Sequence, residues 1–256
     1  MKGDAIVRTT TALLAALLLS STSSFAQVTT LSAIAPPRTN PGLGPYTVTP
    51  AIVACTDLPA AAPSAAFRIL SAQAPDAHQI YAPGELVVLN GGTPQGLAVG
   101  QQYFARRQAY GLAVRTAGWL TVVAADARFA LARIDYACDT VVAGDYLDAF
   151  AEPVLPLSVA SGGEANFSDL GHVLFGSDRR QMFGAGDLAN IDRGKTQGIA
   201  PGTRVGFYRN RSNGTPLVEM GAGVVVEVAE RTSKVVLLNS RDAVQTGDYV
   251  VVRGTP

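Results

Sequence analysis

The chain has 256 residues, with 20 basic and 20 acidic side chains and a formal net charge of zero. That balance excludes the basic face on which nucleic-acid binding depends. Hydrophobic residues make up 48%, with 26 glycines and 15 prolines, which excludes a disordered chain and points to turn-rich globular modules.

The first 26 residues read as a secretory signal peptide. Lys2 and Arg8 give a positive start, and Ala12 to Leu19 is an apolar run too short to span a bilayer. Ser24-Phe25-Ala26 is a small-x-small cleavage signal, which places cleavage near Ala26 and the product in the periplasm or outside the cell. No later stretch reaches spanning length, so no transmembrane segment is expected in the mature chain.

Residues 27–66 form a Pro/Ala-rich leader, carrying Pro36, Pro37, Pro41, Pro45, Pro50, Pro59 and Pro63. Proline breaks helices and ladders, so this stretch is expected to be mostly extended, with a short strand at 46–49. The chain's two cysteines, Cys55 and Cys138, predict one disulfide in an exported protein. It would tie the leader to the end of the module that follows.

Two modules come next, at 67–156 and 171–256, joined by a small-residue linker at 157–170. They are copies. An offset of 102 aligns Gly84 with Gly186, Gln95 with Gln197, Gly96 with Gly198, Gly100 with Gly202 and Arg107 with Arg209. An offset of 103 aligns Gly118 with Gly221, Val122 with Val225, and Gly144-Asp145-Tyr146 with Gly247-Asp248-Tyr249. A period near 100 is a duplicated domain rather than a solenoid unit. Each copy offers five or six short strands: 86–89 closed by Asn90-Gly91-Gly92, 101–107, 119–124, 129–134 and a last strand after Gly-Asp-Tyr. In the second copy these are 188–191, 203–209, 223–228, 233–238 and 249–252, with a hairpin signal at Asn213-Gly214. No window of 12 or more residues in the mature chain has a helical period. The fold class is all-β: two tandem copies of a small β-barrel or sandwich.

The Gly-acid pairs Gly84-Glu85, Gly144-Asp145, Gly186-Asp187 and Gly247-Asp248 read first as turn devices. Glycine supplies the positive φ, and the carboxylate accepts turn amides. The alternative is a Ca²⁺ site built from Glu85, Asp145, Asp187 and Asp248. Arg106, Arg107, Arg209 and Arg211 suggest a binding surface for anionic glycan or a partner, against the plainer reading of a solvated strand face. Tyr81, Tyr103, Tyr110, Phe183, Phe207 and Tyr208 could stack on sugars, but read better as core. Gly194-Lys195-Thr196 fails the P-loop pattern, because Ala189 stands where a glycine is required. There is no G-x-S-x-G elbow and no H-E-x-x-H. His78 and His172 do not correspond between the copies. No cofactor, metal or catalytic site is predicted.

The repeated layout is G-[DE]-L, a turn, Q-G-x-x-x-G, an arginine-ended strand, a valine-rich strand and G-D-Y. It resembles β-modules of bacterial envelope proteins, both those that follow LysM domains and the C-terminal domain of the flagellar assembly protein T family. The resemblance covers both copies and implies a non-enzymatic envelope protein with a structural or assembly role. Its partner would be an envelope protein or cell-wall glycan. The alternative is a peptidoglycan- or carbohydrate-binding protein, although the chain carries no LysM unit of its own. The cysteine, histidine and tryptophan of the first copy are missing at the matching positions of the second. Any activity of unique residues must therefore lie in one copy or where the copies meet.

Overall fold

Left-handed glycines and alternating apolar residues cut each repeat into the same series of strands. The computed structural model describes residues 48–61, 63, 67–74, 79–109, 111, 113–156, 159, 163–176, 180–210 and 216–253. All of these lie in one unit, Pro37–Pro256. The leader supplies helix α1 (Pro50–Cys55) and strand β1 (Leu58–Pro59). The first copy supplies β2 (Ile69–Ala72), β3 (Ile80–Tyr81), β4 (Leu86–Leu89), β5 (Gln102–Gln108), β6 (Ala113–Ala125), β7 (Ala130–Ala137), β8 (Val141–Val142) and β9 (Tyr146–Ala149). The second repeats them as β10 (Gly171–Gly176), β11 (Met182–Phe183), β12 (Leu188–Ile191), β13 (Arg204–Arg209), β14 (Val218–Val228), β15 (Ser233–Ser240), β16 (Val244–Gln245) and β17 (Tyr249–Arg253).

The second copy is a closed antiparallel barrel in the order β10-β12-β15-β14-β13-β17. It closes where β17 pairs back on β10, with Gly171 opposite Val250 and His172 opposite Tyr249. The first copy curls in the same order, β2-β4-β7-β6-β5-β9. Its ends meet at one bridge, Arg68 to Tyr146, and at backbone hydrogen bonds from Ile69 N to Asp145 O (3.0 Å) and from Leu147 N to Phe67 O (2.7 Å). Val173 N donates to Asp248 O in the same way. Arg68 and Ile69 thus stand where His172 and Val173 stand, at an offset of 104 rather than 102. Of the two expected architectures, barrel and sandwich, the second copy forms a closed barrel and the first a sheet curled into a half-barrel, the first barrel below.

Each barrel has its own core. Val87, Leu89, Leu120, Val122 and Ile134 fill the first, and Ile191, Val205, Phe207, Val225, Val235 and Leu237 the second. The short pairs β3–β8 and β11–β16 bury Tyr81 and Phe183 at matching positions. Burying about 25 cal/mol per Å² of apolar surface makes these cores the main stabilising term.

The leader differs from the extended segment expected. Val48 and Thr49 are not in a strand, and Tyr46 and Thr47 lie outside the described residues. Pro50 takes the first helical position, where its missing N–H costs nothing. Thr49 Oγ1 caps the helix by accepting from Ile52 N at 3.2 Å. β1 then pairs with β6, Leu58 opposite Val114. The expected linker is also partly built in: Ala165 bridges Arg253, and Asn166 N donates to Val252 O. The hairpin signal at Asn213-Gly214 lies outside the described residues.

The expected disulfide is present. Cys55 at the end of α1 joins Cys138 just after β7, with 5.4 Å between Cα atoms and a sequence separation of 83. In the chain-entropy model a loop of that length contributes about 4.5 kcal/mol. Replacing both cysteines by serine should lower stability by an amount of that order in urea denaturation. Unchanged stability would show that the leader is held by packing alone.

Two kinds of glycine repeat for different reasons. Gly247 has φ +88° and open space around a would-be Cβ, so alanine there meets only backbone strain. Gly221 is extended, but its Cβ would stand 2.4 Å from Asn239 O on the neighbouring strand, and at Gly118 the distance to Tyr136 O is 2.2 Å. Gly247→Ala should cost about 1–2 kcal/mol and Gly221→Ala about 3 kcal/mol or more. Equal losses in denaturant titrations would contradict this division.

Candidate functional site

The repeated acids are consumed by their own turns. Asp145 accepts from Val142 N (3.0 Å), and Asp248 from Gln245 N (2.7 Å). Each is then gripped by the repeated arginine. Arg209 holds Asp248 through Nε (2.6 Å) and a terminal nitrogen (2.7 Å), and also donates to Ala243 O. Arg107 pairs with Asp145 at 2.9 Å and donates to Thr140 O. The two-pronged Arg209 pair is the strong form of charged hydrogen bond; Arg107 donates to Asp145 once, from a terminal nitrogen at 3.1 Å. Both pairs tie the arginine strand to the Gly-Asp-Tyr turn inside each barrel. Burial raises the Asp145 pKa, against the pull of the Val142 amide and Arg107. Asp187 accepts from Gly184 N (2.8 Å), and Glu85 from Ala82 N. Among the described residues no three side chains of His, Cys, Asp or Glu stand close enough to hold a metal ion.

The arginines singled out from sequence do not gather into one patch of free cations. Arg107 and Arg209 are taken up as above. Arg106 pairs with Asp148, and its guanidinium lies 4.4 Å from the Phe104 ring centre. Arg211 lies outside the described residues. His172 pairs with Asp192 across 3.2 Å at an exposed position, and His78 lies outside the described residues. Tyr81, Phe183, Phe207 and Tyr208 are buried, and Tyr110 is undescribed.

What the copies do not share converges at their junction. The outward face of β14 and β15 carries Val224, Val226 and Val236, and Val48 and Val53 of the leader cover it. The matching positions of the first copy are Thr121, Val123 and Arg133, and there Thr121 and Arg133 both bond to Asp135. Two polar contacts fix the leader on the second barrel. Lys234, with a side chain only 4% exposed, donates to Val53 O at 2.8 Å and pairs with Glu227 at 2.9 Å. Asn190 Nδ2 donates to Asp57 O at 3.0 Å. A helix end needs partners for its last carbonyls, and here a lysine of another module supplies one. On the other side Arg115 of β6 reaches Asp57 (3.5 Å) and Asp139 (3.1 Å). Burial opposes the Arg115 charge, but the two carboxylates lift its pKa above the ordinary value.

Beside this clamp runs a groove of about 400 Å³, within the size range of small-ligand sites. One wall is Tyr136, Cys138 and Asp139 of the first barrel, with Asp57 and Arg115 next to them. The other is Arg180, Asp187 and Leu188 of the second. Arg180 and Asp187 pair at 2.8 Å. An aromatic row leads to the groove across β9, β5, β6 and β7. Phe150 lies 4.7 Å from Phe104, Phe104 lies 6.3 Å from Trp119, and Trp119 stacks on Tyr136 at 4.3 Å with 7° between the planes. These four were not singled out from sequence. Their signal is alternation on neighbouring strands, which shows only once the register pairs Phe104 with Trp119 and Trp119 with Tyr136.

No protein-family model matches the chain, and comparison with curated proteins finds no similar sequence.

Burial lowers the Lys234 pKa against the opposing pull of Glu227. A lysine whose folded pKa is depressed releases its proton in the native state before the unfolded chain does. Native stability therefore rises with pH between the folded value and the unfolded value near 10.5, by at most about 1.4 kcal/mol per pH unit. In urea titrations from pH 7 to 10, the wild type should gain stability relative to Lys234→Met. Parallel pH profiles would contradict a buried charge at this position.

Proposed function

We propose that the protein is an exported, non-enzymatic component of the bacterial cell envelope that binds cell-wall glycan between its two barrels. The observation that carries this reading is the convergence of the unshared residues. Both cysteines of the disulfide, the Asp57–Arg115 pair and Tyr136, on which Trp119 stacks, line one groove. The copies share only what makes a barrel, so the duplication supplies a frame and the junction supplies the specificity. Sugar sites are built from aromatic faces with a few fixed polar groups, and this groove has both. The signal peptide and the disulfide support an oxidising, extracytoplasmic setting. No helix among the described residues is long and apolar enough to cross a membrane.

A structural or assembly role through a protein partner is the second reading. Ile80 and Met182, 56% and 61% exposed, stand at matching positions of the two copies and offer a repeated apolar contact. The closed ladder of the second barrel weighs against partner binding by strand addition there.

Sedimentation of the mature protein with purified peptidoglycan, beside a pull-down from envelope extract, separates the two. Co-sedimentation without a stoichiometric protein partner is expected. A protein partner captured with no peptidoglycan binding would favour the assembly role and overturn the first reading.

A further inference from the structure

We infer that the groove takes a neutral hexopyranose oligosaccharide, with Tyr136 as its stacking platform and the charged pairs of both walls as its hydrogen-bonding groups. This rests on the glycan reading and names the ligand class and the residues.

Tyr136 is the outermost member of the aromatic row and is 43% exposed. Trp119 stacks flat on one face of its ring, so the remaining exposure lies at the opposite face, the edge and the hydroxyl. A flat, fixed aromatic face beside a wet groove suits the apolar C–H face of a pyranose ring. Trp119 holds the platform still, which spares the ordering cost that a free tyrosine would bear on binding.

The polar groups fit hydroxyls better than ions. Asp139 is held by Arg115, and Arg180 by Asp187, so both walls present planar donors and acceptors in fixed positions. Three carboxylates line the groove (Asp57, Asp139, Asp187) against two guanidiniums (Arg115, Arg180). Each of those cations is paired with a carboxylate. An anionic sugar would have to displace a paired carboxylate and would meet a groove of like sign. A neutral ring asks only for hydrogen bonds, which ionised partners make strongly.

Trp119 is the only tryptophan of the chain, so its emission reports on the platform directly. The disulfide-intact protein should be titrated with chitotetraose, cellotetraose and oligogalacturonate. A saturable change in Trp119 emission is expected with one of the neutral oligomers and none with the uronate. By calorimetry, Tyr136→Ala should weaken binding about tenfold and Tyr136→Phe by about twofold or less. Arg180→Gln, at an exposed position on the opposite wall, should weaken it several-fold and guards against misfolding of the first variant. Preference for the uronate, or wild-type affinity in both Tyr136→Ala and Arg180→Gln, would overturn the inference. If those two variants still sediment with peptidoglycan as the wild type does, glycan binding stands and the groove is the wrong place. If the wild type binds neither peptidoglycan nor any oligomer, both readings fall.

Discussion

The outer face of the second barrel is apolar, and that single constraint organises the molecule. A strand in a small barrel normally buries one face and wets the other. β14 cannot, because Val224 and Val226 point outward while Val225 points into the core. Something must cover them, and the leader does, with Val48 and Val53. Once the leader is committed to the second barrel, the Cys55–Cys138 bond and the Asp57–Arg115 pair commit the first barrel to the leader. The order of dependence is therefore valine face, strap, disulfide and then groove.

Duplication explains how such a face arose without cost to the fold. The inward residues, the φ-positive turn glycines and the arginine–aspartate staples recur in both copies, since each copy shapes its own sheet and core. The outward residues are free of that demand. In the first copy two of the three covered positions are polar, Thr121 and Arg133, and the third is Val123. In the second all three are valine, and Lys234 and Asn190 donate to leader carbonyls. Lys234 is the costly member, because its charge is nearly out of water. Its position explains the expense: it gives the Val53 carbonyl at the end of α1 a second donor beside the Thr56 amide and fixes where on the valine face the helix lies.

Much of this was legible in the sequence, and the gaps have physical causes. The copies, most of their main strands and the all-β class follow from glycine spacing and period-two apolar residues. The disulfide follows from cysteine parity in a chain whose first residues read as an export signal. Helix α1 was missed because six residues cannot show a helical period, and because proline density reads as a breaker even where Pro50 serves at the first helical position. The extra two-residue shift at Arg68 and His172 was hidden because the glycines of β10, Gly171 and Gly176, have no counterpart in the first copy. The arginines drew attention as a surface because sequence shows charge but not partner; the same offset that aligned Arg107 with Arg209 also aligned their carboxylates. GVVVEV was read as a strand, yet a run of three valines also says that both faces are buried, and that second message pointed to the junction. The aromatic row stayed invisible because its members lie on three different strands and just beyond a fourth.

A groove made by clamping differs from one made by closure. Hinged sites spend ligand binding energy on ordering two bodies. Here the ordering is covalent and internal: the helix bonded to the first barrel packs on the second, so both walls are set before any ligand arrives. The walls also stay wet, since their charged pairs remain partly exposed while their inner members are buried. Such a site gains little from desolvation and much from preformed geometry. It suits a ligand that is plentiful, repetitive and held in place, for which residence along a surface matters more than tight capture of a single molecule. A rigid, shallow, double-walled groove on a frame with no strand edge open on its second barrel is the form that these requirements select.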